Sequence, residues 1–149
     1  MALYKTHTKF NLILLPILII AIYKLFHPAT SSIYIFSSFF VYSTLFMNPD
    51  MDVSNQIKLF SLKGFFTLPF RFYSIIFKHR GISHSLFWGT LTRVLFLAAF
   101  FISILLIFNF SIPTKTDIIK FYFNYKPFIL YGFFGIFLAD ICHLLLDIK

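Results

Sequence analysis

The sequence predicts an all-α fold: a polytopic membrane helical bundle of about four transmembrane helices joined by short interfacial helices. Three observations carry that reading. The 149 residues are 59% hydrophobic and only 12% charged, where soluble domains hold about 45–50% and about a quarter. The apolar residues fall in long runs instead of alternating with polar ones. The mean hydropathy is +0.85. Nothing resembles a soluble appendage or a flexible linker, so residues 1–149 read as one membrane-embedded domain.

The first span is expected at 10–26 ("FNLILLPILIIAIYKLF"), with Pro16 as a site for a kink, and the second at 31–47 ("SSIYIFSSFFVYSTLFM"). The third is expected at 86–108 and the fourth at about 127–146. Each is close to the roughly 17–25 residues that cover about 30 Å of hydrocarbon. The first two sit at the short end, which calls for tilt or local thinning. Lys5 and Lys9 before an apolar stretch also fit a signal peptide. A small-residue cleavage site is missing, however, and Lys24 interrupts the run, so a retained helix is preferred. Segment 48–85 mixes basic and aromatic residues around Gly64 and Pro69. It reads as short helices lying in the membrane interface or as a loop packed over the bundle.

Orientation follows from Lys and Arg. With four crossings, Lys5, Lys9, Lys58, Lys63, Arg71, Lys78, Arg80 and Lys149 share one side, against Lys24, Lys115, Lys120 and Lys126 on the other. The richer side, holding both termini, is expected in the cytoplasm. The net charge of +8 is therefore a matter of topology and anionic headgroups. The basic residues form no stripe with base-stacking aromatics, so nucleic acid is not an expected partner; the lipid bilayer is. Cys142 stands alone, which excludes an internal disulfide and a Cys-rich zinc module, and reads as packing.

Scarce polar groups collect at the cytoplasmic end. His7 precedes the first span, and Asp50 and Asp52 ("NPDMD") follow the second. His79, Arg80 and His84 ("HRGISHS") precede the third, and Asp140, His143 and Asp147 ("ADICHLLLD") close the fourth. Only Asp117 and His27 fall on the far side. Spacings of three and four place Asp140, His143 and Asp147 on one helix face. Gly81 permits a turn that folds His79 and His84 toward one centre, with Ser83 or Ser85 as a helix cap. Each element also has a plainer reading. His143–Asp147 is a common hydrogen-bonding pair, "HRGISHS" a headgroup-binding loop, the Asp pair a cap, and His7 a solvated terminal residue. Their joint placement favours a metal site.

Imidazoles with carboxylates suit zinc first, manganese or iron next. Seven candidate ligands, His7, Asp50, Asp52, His79, His84, His143 and Asp147, exceed one tetrahedral ion and suit one metal with supporting groups or a two-metal cluster. A two-metal cluster activates water and grips the oxygens of a phosphoester. Arg80 is then the expected phosphate clamp. Asp140 is expected either as the partner of Arg93, an expensive charge within a span, or, like Asp52, as a proton shuttle. Trp88 is an expected interface anchor.

The order His7, "NPDMD", "KHRGISHSLFWGTLTR", "GIFLADICHLLLD" resembles a family of uncharacterised, predicted metal-binding membrane proteins across nearly the whole chain. It is similar to the LexA-regulated, membrane-bound, metal-dependent hydrolase-like proteins. More distantly it is similar to the zinc-dependent phospholipase C and P1 nuclease group. The resemblance implies that Asp50, Asp52, His79, His84, His143 and Asp147, with His7, carry the metal. It implies hydrolysis by label and names no substrate. Two departures are visible: the sequence ends two residues after Asp147, and segment 48–85 has Lys and Phe where such proteins are richer in Arg and Trp.

Three functions compete. A metal-dependent hydrolase would act on a phospholipid or other phosphoester at the cytoplasmic face. A non-catalytic protein would use its ion structurally or as a sensor. A transporter component fits least, because polar residues do not continue along the spans.

Overall fold

A computed structural model describes residues 4–47, 49, 58, 60–77 and 85–147. Among them the fold is helical without strands: α1 (Tyr4–Phe26), α2 (Thr30–Phe46), α3 (Leu62–Phe66), α4 (Leu68–Ile76), α5 (Leu86–Ile107) and α6 (Lys115–Leu145). Local chemistry sets the breaks. After α1, His27 takes a left-handed φ of 44° and Pro28 follows, so the helix cannot continue. At the end of α5, Asn109 has φ 53°, and Asn109 N and Phe110 N donate to Leu106 O and Leu105 O at 3.2 and 2.9 Å. That pair of bonds satisfies carbonyls the helix leaves over.

The boundaries differ from the sequence expectation at two places. Helix α1 starts at Tyr4, six residues before the expected span, and runs unbroken through Pro16. Helix α6 starts at Lys115 instead of near Pro127. The reason is a capping box: the Asp117 amide donates to Thr114 Oγ1 at 3.3 Å, and the Thr114 amide donates to Asp117 Oδ2 at 3.0 Å. Hydropathy marks where a helix enters an apolar medium, whereas capping marks where it begins.

Three helices, α1 from Thr6 onward, α5 and α6, are long and apolar enough to cross a membrane. Helix α2 has 17 residues, about 25 Å at 1.5 Å per residue, and carries seven Ser or Thr. It packs along α6 more extensively than any other helix does, with α1 against both and α5 against α6. The α2–α6 seam is narrow because of Gly135. A Cβ built there would stand 2.5 Å from Phe36 O and 3.1 Å from Phe40 N. One apolar cluster (Ile22, Phe36, Phe40, Ala139, Cys142) fills the space between α1, α2 and α6, and Cys142 is part of that packing. A second (Met47, Phe70, Tyr73, Ile136) seats α4 against the end of α2 and the flank of α5, where the Tyr73 hydroxyl lies 3.1 Å from Thr92 Oγ1. The first halves of α1 and α5 and the second halves of α2 and α6 thus meet at one end of the bundle.

Gly135→Ala is expected to destabilise the protein by about 1–3 kcal/mol, since the obstruction is backbone and the helices must part. Gly132→Ala, whose Cβ would meet only the Phe39 and Ile35 side chains at 3.4 Å or more, is expected to be near neutral. Thermal unfolding of the two variants in detergent checks the contrast.

Candidate metal centre

Three of the proposed ligands come together at the shared end of the bundle. His7 lies on the second turn of α1 and is 3% exposed, so it is no solvated tail residue. Its imidazole stacks on that of His143, with ring centroids 4.0 Å apart and planes 17° from parallel. Both rings turn an Nε2 toward Asp147. His7 Nε2 is 3.4 Å from Oδ1 and His143 Nε2 is 3.9 Å from Oδ2. Asp147 reaches this place through a tightened last turn: its amide donates to Leu144 O at 3.0 Å, and that of Leu146 to His143 O at 3.2 Å.

Beneath the cluster lies a charged latch. Asp140, three residues before His143 on α6, is 1% exposed, as is Arg93 on α5. The Arg93 guanidinium donates to Asp140 Oδ2 at 2.7 Å, to the Met47 carbonyl at 2.6 Å and, through Nε, to Gly89 O at 2.9 Å. Thr90 donates to the same carboxylate oxygen, and Ser43 donates to Oδ1 at 3.4 Å. One buried carboxylate thereby ties α2, α5 and α6. Through Met47 the latch also fixes the residue from which the "NPDMD" segment departs. Pairing with Arg93 meets the demand that a charge in an apolar span find a partner.

A third layer involves Asn11, one turn along α1 from His7. Its amide nitrogen donates to Thr44 Oγ1 on α2 at 3.2 Å and to the Ala139 carbonyl on α6 at 3.0 Å. Asn11, Ser43, Thr44 and Thr90 were not among the sequence-predicted site residues. The usable signal was Asn11 itself: an amide inside an apolar run, four positions after a His. The other three depend on helix register and had none. Asp50, Asp52, His79, Arg80 and His84 lie outside the described residues. His27 sits on the opposite side of the bundle, edge-on to Tyr23.

A family model described as "Uncharacterized metal-binding protein (DUF2227)" matches residues 2–149. The chain belongs to this family. No curated protein and no solved structure matches it.

The geometry fits the metal binding of the DUF2227 family. One nitrogen from each of His7 and His143 and one Asp147 oxygen lie within 4.8 Å of one another. Bonds of about 2.0–2.2 Å bring ligand atoms to about 3.5 Å in a tetrahedral shell, a small contraction from this arrangement. Asp147 Oδ1 is buried and makes no hydrogen bond, an expense that an ion at this place would remove. Three ligands are one short of a closed tetrahedral set, which leaves room for further donors.

Removing one side of the latch leaves its partner as a buried lone charge. Arg93→Met is expected to cost about 3–5 kcal/mol, and Arg93→Met combined with Asp140→Leu to recover most of that loss. A double-mutant cycle on unfolding in detergent gives the coupling energy, and additive losses would contradict it.

Proposed function

We propose that this is a multi-pass membrane protein whose metal centre hydrolyses a phosphoester at the cytoplasmic face. The observation that carries the reading is the meeting of His7, His143 and Asp147, from opposite ends of the sequence, in one buried cluster. In this reading four helices cross the bilayer, α2 being the short, enclosed one. Both termini face the cytoplasm, and residues 1–149 form one domain. Helices α3 and α4 lie in the interface. Their exposed aromatic and aliphatic residues, Phe65 and Ile75 above all at 72% and 74% exposure, support contact with lipid.

The ligand set proposed is His7, His143 and Asp147 with Asp50, Asp52, His79 and His84, holding one or two divalent ions, zinc first and manganese or iron next. Such an ion supplies Lewis acidity and an activated water at neutral pH. Arg80, next to a ligand in sequence, would hold the phosphate through its paired guanidinium donors. Asp52 would take the proton released when water attacks phosphorus. Asp140, its oxygens given to Arg93, Thr90 and Ser43, would act by fixing the α6 turn that carries His143. Kinship with the LexA-regulated hydrolase-like proteins rests on motif order and belongs to this proposal. A phospholipid headgroup is the substrate class closest to the site.

One observation favours a second reading, an ion that is structural or sensory. His7 and His143 are 3% and 2% exposed, and only Asp147, at 17%, opens toward solvent. Closed ion sites are typically structural.

Elemental analysis of protein purified in detergent is expected to find divalent metal in the wild type and a loss of at least about tenfold in affinity in His143→Ala and Asp147→Asn. His27→Ala is expected to keep it. Phosphodiester cleavage that disappears on chelation and returns with the metal would support the hydrolase. Metal present without cleavage of any phosphoester would favour the second reading, and metal retained in both ligand variants would defeat the assignment.

A further inference from the structure

Asn11 holds a buried oxygen that the fold leaves unused. The residue is 1% exposed. Both hydrogens of its amide nitrogen are spent, one on Thr44 Oγ1 and one on the Ala139 carbonyl. A backbone carbonyl only accepts, so the nitrogen must face Ala139 and the amide cannot be reversed. Oδ1 is therefore fixed in place, buried, and accepts no hydrogen bond. Native folds seldom leave such an acceptor unmatched.

Its position tells what it could serve. On α1, Asn11 follows His7 by four residues, and on α6, its partner Ala139 precedes His143 by four. Residues four apart on a helix stand one above the other, with Cβ atoms about 5–6 Å apart. The amide is thus wedged between the two helices that supply the stacked imidazoles, one turn inward from them. In the neighbouring cluster, His7 Nδ1 and Asp147 Oδ1 are likewise buried without a hydrogen bond, and both are of the metal-binding type. A water alone in such a place would need two to four polar partners.

We propose that Asn11 Oδ1 is a further, neutral oxygen ligand forming the inner wall of the metal centre. The inference rests on the metal-binding reading above and deepens it. With Asn11 the described donors become two imidazole nitrogens, a carboxylate oxygen and an amide oxygen. Hydrogen bonds to α2 and α6 pre-set that amide before any ion arrives.

The test uses the full chain in detergent, stripped by chelation and titrated with Co²⁺, whose visible absorption reports its ligands. Asn11→Leu removes the oxygen, Asn11→Asp keeps an oxygen and adds charge, and Thr44→Val removes an amide partner but spares the oxygen. Asn11→Leu is expected to bind at least about tenfold more weakly with a shifted spectrum. Asn11→Asp is expected to retain Co²⁺ with a shifted spectrum, and Thr44→Val to keep the wild-type spectrum. Wild-type affinity and absorption in Asn11→Leu would overturn the proposal, as would Thr44→Val reproducing its spectral change. If Asn11→Leu does not fold, as judged by circular dichroism, an unchanged spectrum in Asn11→Asp overturns it. Failure of the wild type to bind Co²⁺ would bring down the metal centre itself, whereas binding insensitive to Asn11 removes only this inference.

Discussion

Asp140 and Arg93 are withdrawn from solvent at 1% exposure each, and neither charge is tolerable there without the other. Their pairing decides which helices stay together at this end of the bundle. The carboxylate takes donors from α2 and α5 while standing on α6, and the guanidinium also donates to the Met47 and Gly89 carbonyls. In a bilayer, dispersion alone would let such apolar helices slide, because lipid tails pack as well as leucines do. A polar junction with several partners admits one register. That register sets the height of His143, one turn further along the same helix.

The seam between α2 and α6 supplies the second constraint. Gly135 lets the Phe36 backbone approach to a distance that any side chain would forbid, so the latch and the glycine hold the same pair of helices at two levels. Helix α1 is tied differently, by Asn11 bridging to both. In a bilayer, such small residues and interhelical hydrogen bonds would take over the part that water-driven burial plays in soluble cores.

Much of this was legible in the sequence, and the divide is physical. Long apolar runs announced the helices, and the cost of a charge in an apolar span announced that Arg93 and Asp140 need partners. The three- and four-residue spacings by themselves put Asp140, His143 and Asp147 on one face. What escaped were properties of register and local capping. Ser43 and Thr90 matter only because α2 and α5 present them at the level of Asp140, and no run or spacing encodes that level. The Thr114–Asp117 box begins α6 well before its apolar stretch, so hydropathy misplaced the start. Asn11 was overlooked because a single amide in an apolar run carries no pattern of its own, although its distance from His7 repeats that of Asp147 from His143.

The cluster of His7 with His143 and Asp147 also fixes an order of events during biosynthesis. His7 precedes His143 by 136 residues and Asp147 by 140, so at about 5–20 residues per second they are separated by several seconds to half a minute of elongation. No partly made chain can hold an ion between these three side chains. Loading must follow synthesis of Asp147, so ion capture at this cluster would mark a chain in which α1 and the end of α6 have already come together.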